Sequence, residues 1–200
     1  MNSLVGVKRF FLRNVVLVAV TCCLLVMSSC QSEYPNRSPL GQRFPSVKGT
    51  ALTGKTISVP HDYGGKKCCM LLGYIQDAQF DIDRWLIALD MTKTEVEVIE
   101  LPTIQGMFPR MFKTKINDGM RSGIPKELWG GVVTIYEEGE TVQRFTGNQD
   151  GLNARVILLD DQGEIIFFHD RGFSVPALNE LKEALKTSRS QELIESSSSS

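Results

Sequence analysis

Apolar and polar positions divide this chain into four stretches. Residues 10–27 are predominantly apolar, and Arg13 is their one charge. Residues 31–39 are polar and carry Pro35 and Pro39. Residues 44–187 hold short periodic blocks of apolar positions. Ser196 to Ser200 close the chain as a polar, low-complexity tail, expected to be disordered together with the residues from 188 onward.

Within 44–187 the blocks read as elements. Glycines punctuate residues 49–60, where Ile57 and Val59 alternate with polar neighbours, and this predicts a hairpin. Residues 67–75 are nearly continuously apolar, which suits a strand buried on both faces at the centre of a sheet. Phe80, Trp85, Leu86 and Leu89 follow helical spacing, with Asp81 and Asp83 in the first turn where the helix dipole favours acids. Residues 94–101 alternate as a second strand. Residues 108–120 predict a helix that ends near Gly119 or Gly123. Residues 129–136, rich in β-branched side chains, predict a third strand, and residues 138–145 a short helix. The strand 155–159, the turn Asp160-Asp161-Gln162-Gly163 and the returning strand 164–168 form a hairpin. A helix over 176–185 carries Leu178, Leu181 and Leu185. Strands alternating with helices imply an α/β fold, a largely parallel sheet with helices on both faces.

Composition and charge narrow the class. The chain has 200 residues, with 22 Lys plus Arg and 23 Asp plus Glu. Lys8, Arg9 and Arg13 lie at or before the head of the apolar run. Without these three the remainder carries 19 Lys plus Arg against 23 Asp plus Glu, a net of −4. No basic stripe is present, which argues against a nucleic-acid partner. The basic head, the apolar middle and the small residues Ser28 and Ser29 before Cys30 have the order of a secretory signal. Leu25-Val26-Met27-Ser28-Ser29-Cys30 resembles the lipobox of bacterial lipoproteins, with Met27 where Leu, Val or Ile is usual. That resemblance implies cleavage after residue 29, lipidation of Cys30 and a tether linker over residues 30–43. The alternative is an uncleaved membrane anchor, for which the run of 18 residues from Phe10 to Met27, with Arg13 near its edge, stands at the lower limit. Both readings export and tether the domain. With Gln31 rather than Asp after the cysteine, the lipoprotein resemblance tilts towards an outer membrane.

The element order resembles the thioredoxin-like superfamily in its peroxiredoxin-like branch. The likeness is carried by Leu52-Thr53-Gly54-Lys55, by Gly65-Lys66-Lys67 before the apolar strand, and by Leu158-Leu159-Asp160-Asp161-Gln162-Gly163-Glu164-Ile165. It implies a three-layer sandwich over 44–187, with a central mixed sheet and an N-terminal hairpin. It also implies a nucleophilic cysteine just after the first central strand, where a helix N-terminus lowers the thiol pKa. Here that loop is Tyr74-Ile75-Gln76-Asp77-Ala78-Gln79-Phe80, without cysteine. The superfamily's cis-proline before the strand at Arg155 is replaced by Leu152-Asn153-Ala154. Cys68 and Cys69 lie inside the apolar strand and point to opposite faces, as core residues of low reactivity. A shorter segment, Gly119-Met120-Arg121-Ser122-Gly123-Ile124-Pro125 followed by Val132-Val133-Thr134-Ile135-Tyr136, is similar to one in the mitochondrial ATP synthase assembly-factor family. It implies an assembly or chaperone role.

Other chemistries find little support. His61 and His169 lack a second His or Cys at ligand spacing, and no phosphate-binding loop or nucleophile elbow appears. No metal and no cofactor is expected. Arg110, Lys113, Lys115 and Arg121 form a basic cluster, read as a solvated helix face or as a contact surface, with Met107, Phe108, Met111 and Phe112 adding apolar surface. The expectation is a membrane-tethered, redox-inactive module that binds or helps assemble an envelope partner through Gln76, Asp77 and Gln79 of the vacant loop or through Arg110 and Arg121. The rival is an unusual thiol-dependent oxidoreductase or peroxidase using Cys68 or Cys69.

Overall fold

The computed structural model describes residues 33–198. The expected signal, Cys30 and Gln31 lie outside the described residues. Strands β1 (Val47–Ala51) and β2 (Thr56–Val59) form the N-terminal hairpin, paired from Val47↔Val59 to Thr50↔Thr56. Gly54 closes it at φ +90°, a conformation open to glycine at no steric cost. Strand β3 (Cys68–Gly73) is followed by helix α1 (Gln79–Met91), strand β4 (Glu97–Pro102) and two helices, α2 (Met107–Met111) and α3 (Lys113–Gly123). Then come β5 (Val133–Thr134), α4 (Gly139–Thr146), β6 (Arg155–Leu159), β7 (Ile165–His169) and α5 (Val175–Ser198).

The central sheet has the order β4-β3-β6-β7, with β4 parallel to β3 and β6 antiparallel to it. A second sheet, β2-β1-β5, joins its β4 edge through the parallel bridges Glu100↔Val132 and Thr103↔Ile135. Alternation along β3 sorts the core into two layers. Cys68, Met70 and Leu72 face a cluster with Val47, Val59, Val133 and Val142, closed by the hairpin and α4. Cys69 and Leu71 face a second cluster with Ile82, Trp85 and Leu89 of α1 and Leu178, Leu181 and Leu185 of α5. A sheet so covered on both faces explains why β3 reads as a continuous apolar run. The architecture is the three-layer α/β sandwich with an N-terminal hairpin.

Four local expectations differ from the structure. The helix expected over 108–120 is broken at Phe112 (φ −111°, ψ 16°), so that α2 and α3 are separate. The strand expected over 129–136 shrinks to two residues. A 3-10 turn, Lys126–Gly131, takes Trp129, whose indole N–H donates to the Ile124 carbonyl at 2.9 Å. Helix α5 continues through Ser198 where a disordered tail was expected, on the helix formers Gln191, Glu192 and Leu193.

The fourth difference bears on function. Residues 33–44, largely expected as a tether linker, lie along the domain as a strap. The Tyr34 amide donates to Asn148 Oδ1 at 2.7 Å, and the Asn148 amide returns to the Tyr34 carbonyl at 3.0 Å. The Arg37 amide donates to Thr146 O at 3.1 Å, and Gly41 and Gln42 exchange 2.9 Å bonds with Ile165. Phe44 then enters the core, edge-on to Phe145 at 5.9 Å. Gly147 makes room for the strap, since a Cβ there would collide with Pro35 O and Asn36 Cα.

Candidate functional site

Strand β3 ends at Gly73, and Tyr74 begins the loop that leads into α1. A 3-10 turn, Gln76–Ala78, precedes the helix, leaving Ile75, Gln76, Asp77, Gln79 and Phe80 exposed. Facing this loop is the turn between α4 and β6. Gly151 lies there within van der Waals reach of Ile75, its Cβ position 3.5 Å from Ile75 Cδ1. Asp81 joins the two walls. Its carboxylate is 4 % exposed and accepts the Ala154 amide at 3.0 Å and the Phe173 amide at 2.7 Å. The first-turn acid is thus a bracket between α1 and the loops flanking β6 and β7, a role beyond favouring the helix dipole.

The floor is Tyr74 and Arg155. Arg155 is 0 % exposed, an unusual place for a guanidinium. Nη1 donates to Asn153 O at 2.8 Å and to Asp150 O at 3.2 Å. Nη2 donates to Asn36 Oδ1 of the strap at 2.9 Å and to Gln149 O. The cation stacks over the Tyr74 ring at 4.9 Å. Burial lowers the Arg155 pKa, while Tyr74, Asp170 and Asp150 oppose that shift. Tyr74 shares a 2.5 Å hydroxyl contact with Thr146 Oγ1, and burial pushes its phenol up to about 12. A single side chain thereby holds the 149–153 turn, the strap and the floor of the groove together.

Three large apolar side chains stand out around this groove: Ile75 at 40 % exposure, Phe80 at 70 % and Leu152 at 61 %. Gln79 Nε2 bridges Asp83 Oδ1 at 2.9 Å and Glu100 Oε2 at 3.0 Å. Burial raises the Glu100 pKa, and the Gln79 hydrogen bond partly offsets it.

The domain's two thiols stand elsewhere. Cys68 and Cys69 are both fully buried in β3, on opposite faces of the sheet. They are six and five residues upstream of Tyr74, roughly 16–20 Å along the strand. Burial raises both thiol pKa values, that of Cys69 to about 12. The peptide before Ala154 is trans, and among the described residues the cis peptide is Val59–Pro60.

The structure groups Gln76, Asp77 and Gln79 at the groove and separates Arg110 and Arg121 from it. Arg110 donates to the Tyr136 and Glu137 carbonyls at 3.0 and 2.9 Å. Arg121 donates to Leu52 O at 2.8 Å, pairs with Asp118 at 2.7 Å and lies over Trp129. Both arginines are engaged in holding α2 and α3 to the domain. Met111 and Phe112 are exposed. Of the histidines, His169 is buried at its strand end with Nε2 2.7 Å from Gly172 O, and His61 is on the surface. A cavity of about 540 Å³ lies at the far end of the sheet, among Gly65, Lys66, Glu97, Asp161 and Leu185. It is open to solvent and shares no residue with the groove. Among the described residues no group of three or more His, Cys, Asp or Glu is placed to hold a metal ion, and no helix is long and apolar enough to cross a membrane.

Sequence reasoning missed Arg155 and Asp81 as organisers. The one available signal was a charge at the head of an otherwise apolar strand, Arg155-Val156-Ile157-Leu158-Leu159.

No family model matches the chain, and no curated protein matches it. Solved structures do. BsSco, a member of the Sco family of cytochrome c oxidase assembly proteins, is similar at 12% identity with a TM-score of 0.54, covering 76% of this chain and 97% of its own. A thiol peroxidase from Chromobacterium violaceum is similar at 11% identity and a TM-score of 0.54, covering 80% and 93%. A SCO1/SenC family lipoprotein from Bacillus anthracis is similar at 13% identity and a TM-score of 0.51, covering 76% and 98%. Identities this low establish the architecture and leave chemistry to the site itself. The groove, its two walls and the sheet beneath them belong to a thioredoxin-like fold.

Proposed function

We propose that this chain is a membrane-tethered, redox-inactive thioredoxin-like module of the cell envelope, lipidated at Cys30, that binds or helps assemble a partner protein through the groove of Ile75, Phe80 and Leu152. One observation carries the reading. The loop where this fold places a nucleophilic thiol presents exposed apolar side chains, and the two thiols of the domain are sealed in its core. A thiolate is the reactive form, and burial without a cationic partner suppresses it. Large exposed apolar side chains on the loop, the start of α1 and the facing turn are what a docking surface requires. The structural neighbours include an oxidase assembly protein described with a disulfide switch and a protein described as a lipoprotein, which supports an envelope setting for this fold. Lipidation would hold the domain at a membrane and raise its effective concentration for partners there. The outer membrane is favoured where the host has one.

Thiol titration of the folded protein tests the redox part. Both cysteines should react with an aromatic disulfide reagent at neutral pH only as fast as the domain opens, and promptly in denaturant. Rapid reaction of one thiol in the native protein would favour the rival, a thiol oxidoreductase or peroxidase. Acyl labelling tests the tether: Cys30→Ser should abolish it, and labelling that persists would remove Cys30 from the reading.

A further inference from the structure

Between the strap and the end of β7 lies a cavity of about 300 Å³, open to solvent. Asn36, Arg37 and Ser38 line it from the strap, and Phe168, Asp170 and Arg171 from the other side. The strap wall is held on both flanks: the Arg37 amide is bonded to Thr146 O, and Gly41 and Gln42 are bonded to Ile165 of β7. Val156 pairs with His169, so Asp170 follows across from Arg155. Arg155 Nη2 donates to Asn36 Oδ1 at 2.9 Å. The buried guanidinium thus stands behind the strap wall as well as under the groove.

Donors dominate the walls. A guanidinium can only donate, so Asn36 turns Oδ1 to Arg155 and keeps both Nδ2 hydrogens for another partner. Ser38 Oγ accepts the Leu40 amide at 3.4 Å and retains its own hydrogen to give. Arg37 commits Nε to Phe145 O at 2.8 Å and lies over the Phe145 ring, with its two terminal nitrogens unpaired. Arg171 is exposed, and its side chain makes no hydrogen bond or ion pair among the described residues. Asp170 supplies a carboxylate that accepts no hydrogen bond among the described residues. His169 sends its ring the other way, against Trp85 and Phe167, with Nε2 on Gly172 O. Charge in the neighbourhood is mixed. Arg37, Arg155 and Arg171 stand among Glu33, Asp81, Asp150 and Asp170, and Asp81 is already bonded to two amides and Glu33 to Gln149. A long-range field therefore selects nothing here, and selection falls to the partnerless groups on the walls.

We propose that this cavity binds a small hydroxycarboxylate. The ligand's carboxylate takes the forks of Arg37 and Arg171, where charge-assisted hydrogen bonds are strong. A ligand hydroxyl donates to Asp170, other ligand oxygens accept from Asn36 and Ser38, and Phe168 meets the carbon skeleton. A hydroxyl suits Asp170 better than an ammonium, which the arginines would repel. Asp170 also disfavours a bare phosphate, which would set like charges together with too little hydrogen to share. A volume of about 300 Å³ is at the low end for small-molecule sites, matching a ligand of this size. The site shares no lining residue with the groove and does not depend on the tether or on the groove's partner.

The test is an amide NMR titration of the isotope-labelled full chain with glucuronate. Saturable shifts are expected at Arg37, Asp170 and Arg171. Glucose, which lacks the carboxylate, propionate, which lacks the hydroxyls, and inorganic phosphate should each bind at least about tenfold more weakly. Arg171→Gln changes a side chain without contacts, so it should weaken glucuronate about tenfold and leave the urea midpoint unchanged. Asp170→Asn keeps an acceptor and removes the charge, so it should narrow the gap between glucuronate and phosphate. No saturable shift, shifts centred elsewhere, or binding that ignores Arg171→Gln overturns the site. Phosphate or propionate binding as tightly as glucuronate makes it a plain anion site and overturns the hydroxycarboxylate. Glucose binding as tightly as glucuronate overturns the part given to the arginines.

Discussion

Replacing Arg155 should unfasten the groove. Its guanidinium makes four hydrogen bonds, to Asn153 O, Asp150 O, Gln149 O and Asn36 Oδ1. Hydrogen bonds to a charged group contribute roughly 1.5–3 kcal/mol each. Against that gain stands the burial of a cation with no carboxylate within ion-pair distance, a cost of several kcal/mol. Water can also reach the Gln149 and Asp150 carbonyls once the side chain is gone, since both residues are exposed. These opposing effects leave an expected loss of about 3 kcal/mol for Arg155→Met, which keeps the length and removes the fork. With a urea m-value of about 2 kcal/mol/M, the midpoint should fall by about 1.5 M at unchanged m. Hydrogen exchange supplies a local readout, because the Ala154 and Asn153 amides are bonded to Asp81 and to Asp150 O. Both should lose protection ahead of the β3 amides. Arg155→Lys should recover less than half of the stability, since an ammonium cannot reach four acceptors from one planar fork or stack on Tyr74. A midpoint shift below about 0.3 M, with protection of these amides unchanged, would refute the assignment of Arg155 as the organiser of the groove.

Three further outcomes follow from the same contacts. Asp81→Asn puts an NH2 donor against one of two buried amide donors and should cost about 2–4 kcal/mol, read as a lowered urea midpoint with early exchange at Ala154 and Phe173. Gly147→Ala forces a Cβ into Pro35 and Asn36 at a φ of +78°; it should release the strap, so that trypsin cuts after Arg37 while the β3 amides stay protected. Glu100 has a pKa raised by burial, so the folded state holds its proton to higher pH than the unfolded chain. Its contribution is therefore present at acid pH and lost as pH rises through the folded value. Glu100→Gln should stabilise the domain at neutral pH, and its advantage should vanish below the ordinary glutamate range in pH-dependent denaturation.

Much of the scaffold was legible in the chain because its signals are local. The β6–β7 hairpin follows from Asp160-Asp161-Gln162-Gly163, where the Asp160 carboxylate accepts the Gln162 and Glu164 amides at 2.9 and 2.8 Å. The continuous apolar run at 67–75 predicted a strand covered on both faces, and β3 is so covered. The vacant thiol loop was legible too, as the residues between Tyr74 and Phe80 could be read in order. The breaks were less visible. Nothing periodic marks Phe112 as the end of α2, and Trp129 reads as a strand residue until its indole finds the Ile124 carbonyl. The strap was hidden for a similar reason, since its polar, proline-bearing sequence is held by backbone bonds to residues more than a hundred positions away.

By itself the sequence determined the order of elements, the two-sided burial of the central strand and the absence of a thiol at the head of α1, because each depends on residues close together in the chain. The tertiary structure alone decided that Arg155 lies buried beneath the groove, that Asp81 joins α1 to the loops beside β6 and β7, and that residues 33–44 bind the domain in place of a free tether. Those arrangements are long-range hydrogen bonds and packed contacts, and they exist only once the chain has closed on itself.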